Sequence, residues 1–476
     1  MLHGCALRFL LAGLATATAF HATAQEIPPP TVRWLAGDDA PPPPVELRHG
    51  DFALTLDGSA RRQRLRIELP EPPPLGLLTV ELLAATPAGA TAPPVPERHE
   101  WLPHAGTAAA SVALDGTVVV REALVSSAAP LALIRWHADG GFAGLRLRFE
   151  PTVGTTVAVT PTALVVTRDT TRLRIELDHV GGSATAEDGT LEVRRPFAVA
   201  LRIGAPPLPE ARSWDALAGA HAAARAARLG EFQLVLAAPE TLEATRSETA
   251  DTRLRALREG ASDPDLVATW LELARVRAAD RFVATAARPL AAAELATPEA
   301  WLDCATPASV DAAPKRPPDL TAAMSQTVRS DGDAALAALR DRFTRDLGRD
   351  LLPRSDSRPP LDHLQAAAVV AGLLLHERNG KVHLLPALPR AWPDGRLRHW
   401  RTKSGITVDA SWRDGRLETG ALTPVDGGFV QVTLPQGDYE CIPVPAAAPV
   451  PWPPAHDGTR EFAAMAGRPF VFRRAR

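Results

Sequence analysis

Asn379-Gly380-Lys381-Val382-His383-Leu384-Leu385-Pro386-Ala387-Leu388-Pro389-Arg390-Ala391-Trp392-Pro393-Asp394-Gly395 is the stretch that decides how this chain is put together. Before it runs an Ala- and Leu-rich segment with helical spacing, for which Asn379-Gly380 supplies a stop. The two prolines after Leu385 require a buried turn. Next come Gly405-Ile406-Thr407-Val408-Asp409-Ala410-Ser411-Trp412-Arg413-Asp414-Gly415-Arg416-Leu417, which alternate apolar and polar residues around an Asp-Gly step. That is the pattern of short strands joined by tight turns. A helical region therefore hands over to a β-domain here.

Working outward, 476 residues at 46% hydrophobic content can form roughly two to four domains with their own cores. A net charge of −3 gives no electrostatic footing for nucleic acid or an anionic membrane. The densest basic run, Arg61, Arg62, Arg64 and Arg66, fits a solvated face. Residues 1–24 have the form of a secretory signal: Arg8, a short apolar run Phe9–Ala19, and the small-x-small site Ala22-Thr23-Ala24. The mature chain is expected in the periplasm or outside the cell. Cys304 and Cys441 then either pair, tying the helical region to the last β-domain, or stay as two buried thiols.

Residues 25–44 are Pro-rich and expected to be an extended linker. From Val45 to Ala205 period-2 strands dominate, with Asp115-Gly116, Gly140-Gly141 and Asp188-Gly189 as turn signals, which predicts a β-sandwich. The period then shifts to helical at Ser213–Arg228, and after a strand Phe232–Ala237 helices are expected at Leu242–Glu259 and Asp265–Ala287. Further ones are expected at Thr297–Asp303, Leu320–Val328, Gly332–Leu347 and Asp362–Arg378. A last all-β segment begins at Trp392. The domains are thus 45–238 (β-sandwich with linker helix), 239–390 (helical) and 391–476 (small β-sandwich), a multidomain α+β chain.

As a pattern, the opening stretch and its continuation closely resemble glycoside hydrolase family 95, the α-L-fucosidases, where the helical catalytic domain meets the C-terminal β-domain. Leu75-Gly76-Leu77-Leu78, Arg121 to Ser127, Ser213–Arg228 with His221, Thr252-Arg253-Leu254 through Arg288-Pro289, and Ser330-Asp331-Gly332-Asp333 through Pro353 are similar to further family segments. The resemblance implies a supersandwich-like N-terminal domain, an (α/α)6 toroid and inverting hydrolysis of fucosyl linkages. A twelve-helix toroid needs roughly 200 residues, while Leu242 to Gly380 holds 139. The toroid is therefore read as truncated, and a half-toroid exposing apolar helix faces calls for cover by a homodimer.

The family's general acid falls in the missing stretch, and its assisting Asn positions land in Ala291–Trp301, which contains no Asn. The position of its base falls on Leu361 when counted back from His383 without a gap, and on Asp362 with a one-residue shift. Asp362 is thus either the surviving base or a cap for the helix that follows Pro359-Pro360. Trp101, beside His99, Glu100 and His104, is the expected exposed platform for a sugar ring. No metal-ligand spacing or nucleotide fingerprint is present, so no cofactor is expected. Two functions follow from the resemblance: an exported, catalytically degenerate protein that binds fucosylated glycan, or an active fucosidase using Asp362 with Glu272 or Glu377 as acid.

Overall fold

The computed structural model describes residues 31–36, 42–69, 75–84, 97–127, 129–187, 189–206, 208, 214–230, 232–238, 241–242, 245–246, 248–285, 331–347, 351, 361–442, 450–455 and 458–475. The first domain is a sandwich of two antiparallel sheets. In spatial order, the nine-stranded sheet runs Val32–Ala36, Glu97–Leu102, Thr107–Leu114, Thr117–Val125, Leu131–His137, Ala198–Gly204, Thr171–Val180, Ala163–Arg168 and Thr156–Thr160. The seven-stranded sheet runs Ser183–Glu187, Thr190–Arg194, Gly144–Pro151, Gly76–Leu83, Arg62–Glu68, Phe52–Gly58 and Val45–His49. Alternation sets the inner faces: in Arg62–Glu68 the residues Gln63, Leu65 and Ile67 are buried and the arginines between them face out.

Two expectations are corrected here. Val32–Ala36, placed in the Pro-rich linker, is an edge strand paired with Glu97–Leu102, in register Trp34 with His99. Glu97–Leu102, which holds the expected platform residue Trp101, is a strand that also pairs with Thr107–Leu114. Polar residues hid it, because Glu97 and His99 point inward and bond each other at 3.2 Å.

The helices are α1 (Trp214–Leu229), α2 (Ala250–Arg258), α3 (Pro264–Thr285), α4 (Gly332–Asp346) and α5 (Leu361–Leu374). The expected helices Thr297–Asp303 and Leu320–Val328 lie outside the described residues. The helix expected over Leu242–Glu259 is interrupted: Thr241, Leu242, Thr245 and Arg246 are helical, and after Glu248 and Thr249 a new helix starts at Ala250, where the Thr249 hydroxyl accepts from Thr252 N at 3.3 Å. Helix α3 is the hub, packing on Val45–His49 of the sandwich, on α1 and on α5. Its residues 265–276 are all buried, as are nearly all of residues 366–375 in and after α5. Over these stretches the cover expected from a second copy is supplied within the single chain.

The C-terminal domain stacks a seven-stranded sheet on a four-stranded one. The first runs Gln233–Val235, Gly395–Arg401, Ile406–Arg413, Arg416–Pro424, Phe470–Arg474, Tyr439–Ile442 and Val450–Pro451. The second runs Leu375–Arg378, Lys381–Leu384, Gly428–Thr433 and Thr459–Ala464. Trp392, Leu397, Trp400, Trp412 and Phe472 fill the space between. The opening stretch differs from its sequence reading. Helix α5 stops at Leu374, and Leu375–Arg378 turns back on Lys381–Leu384 as a hairpin. Asn379 (φ 53) and Gly380 (φ 73) both take the left-handed conformation that a two-residue hairpin turn requires. Leu373-Leu374-Leu375 suits a helix or a strand, and Asn-Gly fits both a helix stop and a hairpin, so local pattern left the choice open.

Candidate functional site at the domain joints

The buried titratable groups of the described helices gather where α1, α2 and α3 meet the sandwich. Arg225 of α1 donates to the carbonyl oxygens of His104 and Pro103, both at 2.6 Å, and its guanidinium is bidentate to Asp280 of α3 at 2.8 and 3.1 Å. His221, one turn earlier, accepts from Ser127 N at 3.1 Å through Nδ1. Its Nε2 faces the Ala105 carbonyl at 2.7 Å, which assigns the proton to Nε2. Burial lowers the pKa of His221, against the pull of that carbonyl, so the ring is neutral at physiological pH. Two of the family-like segments, Arg121 to Ser127 and the His221 helix, are therefore bonded to each other.

Arg275 completes the cluster. Its Nε and Nη2 donate to Glu272 at 2.8 and 2.7 Å, and Nη1 donates to the Leu229 carbonyl at 2.7 Å. Its guanidinium lies over the Phe232 ring at 4.7 Å. His104 Nδ1 reaches Glu272 from the sandwich at 3.2 Å. Burial pushes the Glu272 carboxyl up, but Arg275 and His104 outweigh it and hold the group below the ordinary carboxylate value. Glu272 is therefore an ion at physiological pH. A general acid must hold a proton there, and the contacts of Glu272 with Arg275 and His104 work against that.

A second pair of family-like residues meets at the start of α3. Arg253 is bidentate to Asp263 at 2.7 and 2.9 Å and reaches Asp265 at 3.1 Å, while Arg246 holds the other side of Asp265 at 2.9 Å. Asp263 also caps α3 by accepting from Leu266 N at 2.8 Å. The third pair joins α4 to the opening stretch. Asp331 caps α4 through Ala334 N at 3.0 Å, and Asp333 accepts from Arg390 N at 2.7 Å. Leu385 N and Ala387 N donate to Leu374 and Leu373 carbonyls at the end of α5. A Cβ on Gly332 would stand 2.0 Å from the Ala387 carbonyl oxygen, which is why that position is glycine. Trp412 Nε1 donates to the Trp392 carbonyl at 3.0 Å, and Gly395 lies flat under the Trp412 indole.

The structure places the backbone of three further residues proposed from sequence. Trp101 is 4% exposed, in a strand between Val32 and Ala108, so its indole faces the core instead of a sugar. The backbone of Asp362 lies in the first turn of α5, one residue inside the helix; its side chain is outside the described set. Glu377 stands in the hairpin beyond the other end of α5, accepting from Ser404 N at 2.8 Å. A fourteen-residue helix is about 20 Å long, more than twice the roughly 6.5–9.5 Å that separates an inverting pair. Glu377 is therefore not the partner acid of Asp362. Cys441 is half-buried, opposite Phe472 and Val450; Cys304 is outside the described residues. Among the described residues no group of His, Cys, Asp and Glu has the geometry to hold a metal ion, and no helix is long and apolar enough to cross a membrane.

Residues 377–471 match the glycoside hydrolase family 95 C-terminal domain. The chain carries a family 95 C-terminal domain. The match starts inside the Leu375–Arg378 strand and ends in Phe470–Arg474, so it spans the whole two-sheet unit apart from the linker strand Gln233–Val235. No curated protein matches the chain. Among solved structures, a human-microbiome protein named, without an established activity, as a kojibiose phosphorylase aligns at 5% identity and a TM-score of 0.30. That alignment covers 49% of this chain and 39% of the other, and it carries no argument about function. The family 95 domain itself ties the chain to the glycoside-hydrolase-like, carbohydrate-related proteins.

Arg225, Asp280, His104 and Arg275 were missed by the sequence reading. A usable signal existed: Glu272 and Arg275 are three residues apart, inside a run otherwise apolar enough to be buried. A charged pair at that spacing in a buried helix marks an internal ion pair.

Proposed function

We propose that this chain is an exported, carbohydrate-binding relative of the family 95 fucosidases that recognises fucosylated glycan without hydrolysing it. The family 95 C-terminal domain supports the carbohydrate assignment. One observation carries the loss of hydrolysis. In and beside the described helices, Asp263, Asp265, Glu272 and Asp280 are each engaged by an arginine, so these carboxylates are occupied in internal ion pairs instead of facing a substrate. The shortened helical stretch and the absence of Asn from Ala291–Trp301 point the same way.

The test is incubation of the full chain with a 2′-fucosylated trisaccharide, following free fucose and binding heat together. Heat without fucose release is expected. Fucose release that disappears in Asp362→Asn would overturn the proposal in favour of an active inverting enzyme with Asp362 as base. Neither heat nor release would overturn the fucosylated-glycan assignment itself.

A further inference from the structure

Helix α1 takes up the carbonyl oxygens of three consecutive loop residues of the sandwich. Arg225 holds those of Pro103 and His104, both at 2.6 Å, and His221 Nε2 holds that of Ala105 at 2.7 Å. The loop wraps closely enough that a Cβ on Gly106 would stand 2.7 Å from the Arg225 guanidinium. On its other side the His221 ring meets a different segment, just past the strand Thr117–Val125, where Nδ1 accepts the Ser127 amide at 3.1 Å. The residue is 1% exposed.

One imidazole thus bridges two separate parts of the sandwich, donating to one and accepting from the other. Only the neutral ring with its proton on Nε2 can do both. A second proton would go to Nδ1, set one N–H against another, and leave the Ser127 amide without its acceptor, which is costly at a buried position. The imidazolium would also stand one helical turn from the Arg225 guanidinium. The charged and titratable groups around the ring come from each element packed on it: Arg225 and Arg228 from α1, His49 from Val45–His49, Asp280 from α3 and His104 from the loop. Asp280 is bidentate to Arg225, and His104 is bonded to Glu272. Burial lowers the His221 pKa most, and Arg225 and His49 lower it further; the Ala105 carbonyl and Asp280 pull upward without restoring it. Burial and Arg228 lower His49 as well. The remaining seat of α1 is apolar, with Trp214, Leu217 and Ala218 on Leu124, Leu131 and Leu133, and pH does not touch it.

We propose that His221 is a pH latch, which at neutral pH clips the Ser126-Ser127 strand end to α1 and on protonation releases that end while α1 stays seated. The sign follows from linkage. Because the folded ring is held below its ordinary value near 6.5, the latch contributes fully above that value and is lost as pH falls through the lower, folded one. The device needs no ligand and is independent of the carbohydrate reading.

The experiment is hydrogen–deuterium exchange of the full chain from neutral pH down to about pH 5. Exchange at the Ser127 amide is resolved from overlapping peptides and corrected for the intrinsic pH dependence of amide exchange. The corrected rate is expected to rise about tenfold across that range. His221→Asn places an amide oxygen near the position of Nδ1, an acceptor that takes up no proton, and should leave the corrected rate flat. His49→Gln should keep the parent's profile. A flat rate in the parent would overturn the latch without any variant. So would a rise shared equally by all the sandwich strands, a rise that persists in His221→Asn, or one that vanishes in His49→Gln, which would make His49 the sensor. If His221→Asn does not fold, the parent and His49→Gln decide: a rise confined to the Ser127 segment in both supports the latch, and any other pattern overturns it.

Discussion

Arg275 has no exposed surface, yet every polar atom of its guanidinium is used, on Glu272, on the Leu229 carbonyl and against Phe232. A buried charge of this kind stabilises little by itself, but leaving its partner alone is costly. Arg275→Met should therefore destabilise by about 3–5 kcal/mol, and the double variant Glu272→Leu with Arg275→Met should recover most of that. Urea midpoints of the three proteins measure it, and a double variant as weak as the single one would mean the arginine holds Leu229 more than it neutralises Glu272. The pH dependence has a definite sign. Because the folded carboxyl is held below its unfolded value near 4.5, the stability it contributes is complete above that value and fades as pH falls through the lower, folded one. Glu272→Gln should flatten the acid limb of the stability curve below about pH 4.5, relative to the parent, and leave its slope above that pH unchanged. An unchanged slope would show that His104 and Arg275 do not favour the ionised form in solution.

Elements were legible wherever one face of a strand or helix was apolar, and opaque where polar residues had been turned inward. Arg62–Glu68 and α4 were read because alternation or helical spacing survives in them. Glu97–Leu102 was not, since its inward positions hold Glu97, His99 and Trp101 and mimic a polar loop. The family-like segments were recognised as ancestry, but their spacing did not reveal that they bond in pairs, because that is a property of chain segments far apart in sequence. The pair at Gly332 and Ala387 is the most exacting. Gly332→Ala would drive a Cβ into the Ala387 carbonyl and should cost at least about 1–3 kcal/mol, read as a lowered denaturant midpoint. Gly140→Ala, where nothing lies within 4 Å of the new Cβ, is the control and should be neutral to slightly stabilising. Equal effects at the two sites would remove the steric reading of the Ser330–Asp333 segment.

At the scale of the molecule, the notable connection is that the linker between the sandwich and the helices lends a strand to the C-terminal sheet. Gln233–Val235 pairs with Gly395–Arg401, with Leu234 opposite Leu397, and Phe232 stacks on Trp400 with ring centroids 5.0 Å apart. Phe232 also lies under Arg275, so α3, the linker and the last domain share one aromatic contact. Residues 375–476 contain both C-terminal sheets except this strand. Expressed alone, the fragment would leave the edge of Gly395–Arg401 unpaired and uncover the side of Leu397 and Trp400 that faces the linker. The fragment should self-associate or lose its fixed near-ultraviolet tryptophan signal, and a peptide of residues 230–238 added in trans should restore a monomer with native-like signal. A fragment that is monomeric and unfolds cooperatively without the peptide would show that the domain is autonomous and that the linker strand only decorates its edge. Rescue would place the covering of the sheet edge in the linker itself, because residues 230–238 bring the strand and Phe232 but neither α3 nor Arg275. It would follow that the C-terminal domain depends on the segment that also anchors α3, and that sandwich, helices and last domain unfold together instead of in sequence.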